Sequence, residues 1–520
     1  MTVISNIKEK LKNRILLEKK KFIFNNFLLS IIVMLPILLC YTTLKHLIMS
    51  FIFLIILFLL SISNRFLFFT VSIFIIITSI VFSHIYIHWG YLMIDSRLEV
   101  ALLSPLYEQI EYLKNYFSIS DYFLFIYTII YIYLLFKYMK LNSFFLIYNI
   151  KLKSISILFV VFLISIISVY KNPLTEILPF NIAYKYIQIK DKLKLIQNRN
   201  NYINYLAVNK HHLSKNLLYD KIIIIIGESA SKKHMSAYSY KRKTTPFLDS
   251  FKNQQNGYFY NAIAPANQTR YSLALSFTNA KVNDFNHFFT SYSLITKLKQ
   301  NGYYTYWISN QGQVGKHDNY ISSIANETDI KYFLNINFKL AKPDSVLLKK
   351  LNEINIDDKE KQAFVFHLIG SHFDYQSRYP KNKSLIKDPK SIIDYYDNTI
   401  YFTDYILSKI YQKFKNKKIL FVYFSDHGEV ISDKKHGHGF FPPYKDEYDI
   451  PLFIYSSIPN KKLNIINNKE RINMETFNYL IEYLSGIDNN LSLISSSNYV
   501  MALKPQNIFN YLELKNYKGK

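Results

Sequence analysis

The chain has 520 residues, half of them hydrophobic, which is long enough for a membrane region and one large soluble domain. It carries 63 Lys and Arg residues against 37 Asp and Glu residues, a formal net charge of +26. This charge predicts an anionic partner, either nucleic acid or anionic lipid headgroups. The single cysteine, Cys40, lies inside an apolar run and excludes an intramolecular disulfide.

Five apolar stretches at the start of the chain predict a five-helix transmembrane domain. Each has about the 17–25 residues that a helix needs to cross a bilayer, and each is apolar on all sides. They make membrane lipid, and not nucleic acid, the expected anionic partner. The five stretches are residues 22–44, 47–63, 66–87, 122–139 and 155–170.

Charged loops predict the orientation of these helices. Residues 1–21 are rich in Lys and Arg, as is the loop between the fourth and fifth stretches, whereas residues 88–121 carry five acidic residues against two basic ones. Positive loops stay in the cytoplasm. We therefore expect a cytoplasmic N-terminus and, after five crossings, residues 171–520 on the opposite side of the membrane.

The rest of the chain alternates short apolar runs with helix-like segments, which predicts an α/β domain with a mainly parallel sheet. A polar segment, 171–220, precedes this domain and is expected to be a partly helical linker on the membrane surface. The predicted strands are 222–226, 303–308, 364–369, 419–424 and 451–455, and the predicted helices include 291–300 and 392–414.

Metal-ligand types follow two of these strands. Glu228 comes directly after the first strand, and Asp426 and His427 come just after the strand 419–424. Functional residues gather at the carboxyl ends of parallel strands, and a carboxylate there needs solvent, a partner or a cation. Either strand end alone is explained equally well without a metal, Glu228 as a partner of a helix N-cap and Asp426-His427 as part of a simple loop. Together they predict a site for zinc or manganese.

Several motifs give the chain a resemblance to a known family. They are IIGES (225–229), YSYKRKTTPFLD (238–249), NQTRYSLALSF (267–277), YWISNQG (306–312), YYDNTIYFTDY (395–405) and SDHGE (425–429). The chain resembles the phosphoethanolamine transferases of the Gram-negative envelope, a branch of the alkaline phosphatase/sulfatase superfamily. The resemblance covers nearly the whole chain.

The resemblance implies an inner-membrane, multi-pass protein with three parts. These are a five-helix transmembrane domain (1–170), the membrane-surface linker (171–220) and a periplasmic alkaline phosphatase-like, or sulfatase-like, catalytic domain (221–520). We expect a monomer that contacts membrane lipids and binds no nucleic acid.

The resemblance also implies roles for individual residues. Thr269 matches the family's nucleophile, and Glu228, Asp426, His427 and Thr269 would hold zinc. The resemblance leaves the number of zinc ions at one or two, and manganese is the weaker alternative to zinc. The implied substrate-binding residues are His372, His438 or its neighbour His436, Lys316, Ser104 and Glu108. Ser104 stands where the family has threonine.

The implied reaction moves phosphoethanolamine from phosphatidylethanolamine to a lipopolysaccharide or lipooligosaccharide acceptor, through a phosphoethanolamine-threonine intermediate. Because lipid A-modifying members usually carry disulfides, which this chain cannot form, a core sugar such as heptose is the favoured acceptor, with lipid A as the other candidate. Three other hydroxyl residues could compete as the nucleophile. We interpret Ser229 as a neighbour of the ligand Glu228, and Thr244 and Thr245 as turn or capping residues before Pro246.

Three other functions remain open at this point. A glycerophosphate transferase would share the layout but use a different donor. A sulfatase is disfavoured because the chain has no Cys-x-Pro-x-Arg motif. A membrane sensor or transporter with an outer binding domain predicts charged residues inside the spans, and the apolar runs contain almost none.

Overall fold

The computed structural model describes residues 2–39, 44–89, 98, 110, 117–141, 180–207, 216–312, 320–335, 342–356, 360–494 and 497–518. The chain divides into two compact units. Among the described residues, the first unit takes those up to 98 and those from 117 to 191, and the second takes residue 110 and those from 192 onward. The first unit contains the N-terminal helices and the second contains the sheet. The predicted domain boundaries stay predictions.

Long helices cover the described residues of the first four predicted spans. They are α1 (Thr2–Leu39), α2 (Leu44–Ser63), α3 (Arg65–Trp89) and α4 (Ile119–Leu141). Within the described part of the chain, Phe66–His88 and Ile119–Tyr138 are long and apolar enough to cross a membrane, and Ser50–Ile62 is a shorter apolar helix. The fifth predicted span, 155–170, lies outside the described residues, so the count of five stays a prediction.

Bulky apolar side chains on these helices stand exposed. Phe66, Phe123 and Phe136 are each more than half exposed. An exposed apolar surface of this kind normally marks a contact with a partner or with lipid. The helical unit therefore has the outer surface expected of a membrane domain.

The second unit is built on an eight-stranded sheet. The strands of the chain are β1 (Lys221–Gly227), β2 (Gly257–Ile263), β3 (Tyr304–Ser309), β4 (Ile330–Phe333), β5 (Gln362–His367), β6 (Ile419–Ser425), β7 (Val430–Ile431), β8 (His436–Gly437), β9 (Asp449–Ser456), β10 (Ile472–Asn473), β11 (Tyr499–Met501) and β12 (Ile508–Asn510). The sheet order is β10-β2-β9-β6-β1-β5-β3-β4. Only β9 runs antiparallel to its neighbours in this sheet, so the predicted mainly parallel sheet is confirmed.

Helices accompany the strands along the chain. They are α5 (Phe180–Ala207), α6 (Pro246–Asp249), α7 (Thr269–Phe277), α8 (Leu294–Gln300), α9 (Tyr320–Ala325), α10 (Ser345–Glu353), α11 (Ile392–Phe414), α12 (Lys461–Asn467) and α13 (Phe477–Ser485). The predicted helix 392–414 is confirmed at both ends. Helix α5 lies within the segment predicted as a linker.

The run of isoleucines in β1 explains its central place. Ile222, Ile224 and Ile226 pack into one apolar core, and Ile223 and Ile225 pack into the core on the other face. Successive side chains of a strand point to opposite faces, so a strand covered on both sides must be apolar throughout. All five predicted strands are present. The other strands of this sheet, β2, β4 and β10, and the short strands outside it were not predicted.

Candidate active site and metal centre

Parallel pairing places the ends of β1 and β6 side by side, with Gly227 opposite Ser425. The residues that follow are Glu228, Asp426 and His427, and all three are buried. Nε2 of His427 lies 3.4 Å from Oε1 of Glu228 and 3.2 Å from Oδ2 of Asp426. The structure thus brings the three predicted metal ligands together.

Thr269 is the first residue of α7, and its hydroxyl reaches the same cluster. Its Oγ1 lies 3.2 Å from Oε2 of Glu228 and 3.3 Å from Nε2 of His427. The three ligands are buried, but Thr269 is only partly so. The N-terminus of a helix favours a nearby anion such as phosphate. Thr269 is therefore accessible to substrate on an electropositive helix end.

Local hydrogen bonds fix the orientation of the ligands. Nδ1 of His427 donates to the carbonyl of Gly428 at 2.9 Å, so Nε2 is the nitrogen available to the cluster. Ser229 donates from its backbone to Oδ1 of Asp426 at 3.0 Å and from its hydroxyl to Oε1 of Glu228 at 2.9 Å. Ser229 holds both carboxylates and has the unusual backbone angle φ of 56°.

The charges of the cluster need a counterion. Burial, with the charge of Glu228, raises the pKa of Asp426 to about 8. Burial also acts to raise the pKa of Glu228, but the hydrogen bond and charge of His427 outweigh it and hold that pKa below its usual value. Burial lowers and the two carboxylates raise the pKa of His427, to a final value of about 10. A divalent cation would replace the protons that this cluster otherwise retains.

The donor set fits zinc. One donor atom from each of Glu228, Asp426 and His427 lies within 4.8 Å of the others. Two carboxylate oxygens and one imidazole nitrogen form a three-ligand set that leaves a position for a further oxygen, as in catalytic zinc sites. The hydroxyl of Thr269 lies beside this set.

A group of histidines lies next to the cluster of Glu228, Asp426 and His427. The rings of His427 and His438 are 3.9 Å apart, and the ring of His372 is 6.5 Å from that of His438. His438 contacts Oε2 of Glu429 through Nδ1 at 2.8 Å. Tyr375 donates to the other oxygen of Glu429 at 2.7 Å, and burial raises the pKa of Glu429 to about 7.

A glycine allows the His372 loop to approach the cluster closely. Gly370 has a φ of +46°, and a Cβ there would lie 2.9 Å from backbone atoms of Glu228. Two residues later, Nδ1 of His372 contacts the carbonyl of Phe373 at 2.7 Å. No larger residue fits at position 370 without moving Glu228.

The remaining predicted residues have different positions. Of the two histidines left open, His438 has its ring beside that of His427, whereas His436 lies in β8 with its ring near that of Phe373. A further histidine, His367, is buried in β5, and burial lowers its pKa to about 4. Ser104, Glu108 and Lys316 lie outside the described residues.

Two residues of the site carried no predicted role. Nε2 of Gln311 donates to Oε2 of Glu228 at 3.1 Å and to the carbonyl of Leu368 at 2.9 Å. Glu429 supports His438. Both lie within quoted motifs and just past strand ends, since Gln311 follows β3, and that placement is the signal that could have identified them.

A comparison with protein-family models identifies the family of the chain. The family model described as Sulfatase matches residues 220–487, which are about half of the chain and include the whole eight-stranded sheet. The chain belongs to the sulfatase family. The match begins just before β1 and ends after α13, so it includes every residue of the cluster described above.

Relatives narrow the resemblance within that family. Phosphoethanolamine transferase EptC of Escherichia coli K12 is 30% identical over 298 residues, which are 53% of this chain and 51% of that protein. Phosphoethanolamine transferase EptA of Helicobacter pylori is 29% identical over 279 residues, 50% of this chain and 52% of that one. The chain thus matches about half the length of these curated relatives, and the predicted resemblance to phosphoethanolamine transferases is confirmed.

Solved structures share the fold. The C-terminal periplasmic domain of E. coli EptC has 25% identity and a TM-score of 0.52, covering 58% of this chain and 94% of that one. The integral membrane lipooligosaccharide phosphoethanolamine transferase A of Neisseria meningitidis has 15% identity and a TM-score of 0.56, covering 89% and 95%. One of the two solved structures that share this fold is therefore that of an integral membrane protein.

Proposed function

We propose that this chain is a metal-dependent phosphoethanolamine transferase of the bacterial inner membrane, with its catalytic domain in the periplasm. The donor is phosphatidylethanolamine, and the acceptor is a lipopolysaccharide or lipooligosaccharide sugar, with core heptose favoured over lipid A. The observation that carries the proposal is the position of Thr269, whose hydroxyl lies 3.2 Å from Glu228 and 3.3 Å from His427. The identity of the transferred group, phosphoethanolamine, is inferred from the names of the relatives.

Zinc is the proposed cofactor. Glu228, Asp426, His427 and Thr269 would hold it, and a structure of the E. coli EptC domain was solved as a complex with Zn. When bound, zinc would lower the pKa of the threonine hydroxyl and offset charge on the phosphoryl oxygens. The adjacent group of His427, Glu429 and His438 offers donors for a second ion.

The reaction proceeds in two displacements. In the first, Oγ1 of Thr269 attacks phosphorus, its bond to phosphorus forms, and the bond from phosphorus to the diacylglycerol oxygen breaks. Diacylglycerol leaves with a proton, and phosphoethanolamine stays on Thr269. In the second, a sugar hydroxyl attacks the same phosphorus, and Oγ1 leaves and regains its proton.

Residues around Thr269 support this transfer. Glu228 accepts the hydrogen bond of the threonine hydroxyl and orients it. We assign the stabilisation of negative charge on the phosphoryl oxygens to the N-terminus of α7 and to the imidazoles of His372 and His438, because His438 lies beside His427 and His372 lies near His438. We assign Lys316 to a phosphate contact, and Ser104 and Glu108 to lipid binding, from the family resemblance.

Mass spectrometry of lipopolysaccharide tests the proposal. Cells that lack the gene are complemented with the wild type, Thr269→Ala, or the control Thr290→Ala, which removes an exposed threonine outside the cluster. We expect phosphoethanolamine on core sugar with the wild type and the control, and none with Thr269→Ala. Transfer that survives Thr269→Ala would exclude Thr269 as the nucleophile. Glycerophosphate in place of phosphoethanolamine would exclude the donor.

A further inference from the structure

Three metal-ligand side chains meet in the helical unit, where α3 ends and α4 begins. His84 and His88 lie one turn apart near the end of α3, and Asp121 lies in the first turn of α4. Nδ1 of His84 is 2.7 Å from Oδ1 of Asp121, and Nε2 of His88 is 2.9 Å from Oδ2. None of these residues belongs to the catalytic cluster.

The carboxylate at the centre of this group is buried and held in place. The side chain of Asp121 is 5% exposed, and those of His84 and His88 are 17% and 14% exposed. Ser118 donates to Oδ2 of Asp121 from its backbone at 2.7 Å and from its hydroxyl at 3.0 Å. Among the described residues of the helical unit, no Lys or Arg forms an ion pair with Asp121.

The arrangement has the chemistry of a metal site. Residues four apart on a helix project from the same face, so His84 and His88 form a chelating pair. Their ring centroids are 4.7 Å apart, and one donor atom from each of the three residues lies within 4.8 Å of the others. Imidazole nitrogens select zinc over the hard cations magnesium and calcium, which prefer oxygen ligands.

We propose that His84, His88 and Asp121 bind a zinc ion of their own, separate from the catalytic metal. The ion takes the place of the protons that the two imidazoles share with Asp121, and it neutralises the buried carboxylate. Three protein ligands leave a fourth position for water or another oxygen. The ion fastens the end of α3 to the start of α4.

Zinc content of the full chain in detergent tests the proposal. The catalytic ligands are first removed by Asp426→Asn with His427→Gln, which breaks both ligand groups that share His427, and His84→Gln with His88→Gln is then added to that background. After dialysis against zinc and passage over a chelating resin, plasma mass spectrometry should find one zinc per chain in the first variant and none in the second. His287→Gln, which removes an exposed imidazole, should lose no zinc.

Cobalt gives a second measurement that does not depend on the double histidine variant being folded. Co²⁺ added to the catalytic-ligand variant should produce a visible absorption band that saturates at one equivalent. The single change Asp121→Asn should shift or remove that band, while gel filtration and circular dichroism confirm the fold. A folded catalytic-ligand variant that binds no zinc and gives no band would overturn the proposal, since the group would then be only hydrogen-bonded.

Discussion

Gln311 holds a proposed metal ligand, Glu228, in place through a hydrogen bond from its side-chain amide. Its amide nitrogen bridges Oε2 of Glu228 and the carbonyl of Leu368, so it connects the end of β3 to the end of β1. Hydrogen bonds of this kind orient a ligand before the metal binds, which lowers the cost of ordering it.

Gln311→Ala should therefore weaken zinc binding. We expect an affinity about 10–100-fold lower than that of the wild type, because groups that orient metal ligands typically contribute this much. Competition with a chromophoric chelator measures it. Gln376→Ala, which removes an exposed glutamine, is the matched control and should leave the affinity unchanged. Equal affinities for Gln311→Ala and the wild type would show that Glu228 needs no such support.

The residue pattern alone singles out the proposed ligands of the site but not the proposed nucleophile. Glu228, Asp426 and His427 each follow an apolar strand, so a local pattern identifies them. Thr269 follows no strand of this kind; it begins α7 and reaches the cluster only through long-range packing. The residue pattern alone could not separate it from Thr244 or other threonines, and the family resemblance supplied that choice.

At the scale of elements, the C-terminal part of α5 is anchored to the catalytic unit by a buried ion pair. Arg199 is 2.7 Å from Oε1 of Glu327 and donates to the carbonyl of Phe288 at 2.8 Å and to Ser323 at 2.9 Å. The guanidinium is almost fully buried. Removal of one partner of such a pair leaves an uncompensated buried charge.

Arg199→Ala should lower the free energy of unfolding of the catalytic unit by about 3–5 kcal/mol. Fluorescence of Trp307, which is buried in β3, follows unfolding in a Trp89→Phe background that leaves it as the single tryptophan. Arg199→Met with Glu327→Leu should lose less, since neither charge then stays unpaired. A double variant less stable than Arg199→Ala would contradict this explanation. Lys190→Ala, an exposed change in α5, is the control.

Strands β2 and β4 were missed for identifiable reasons. β2 follows a polar Gln-Gln-Asn segment, begins with a glycine and is partly exposed along its first half, so its apolar pattern is interrupted. β4 has only 4 residues and forms the edge of the sheet next to β3. Both strands form through pairing with segments that are distant in the chain. β2 pairs with β9 and β10, and β4 pairs with β3.

At the scale of the whole molecule, the charged loops predict which side of the membrane each part occupies. Chemical labelling tests this prediction in a chain whose single cysteine is removed by Cys40→Ser. Cysteine is then introduced by Lys10→Cys or by Lys390→Cys, both at exposed positions. A membrane-impermeant maleimide should label the Lys390 variant in intact spheroplasts and the Lys10 variant only after lysis. The reverse pattern would contradict the predicted orientation.

The most direct test of the proposed mechanism is to find the transferred group on the protein. The purified full chain with zinc is incubated with phosphatidylethanolamine in detergent, without an acceptor, then quenched in acid and digested for peptide mass spectrometry. We expect phosphoethanolamine on Thr269, in the peptide that contains the start of α7, and none after Thr269→Ala. Phosphoethanolamine on Ser229 or another residue, or diacylglycerol release with no modified peptide, would contradict the account.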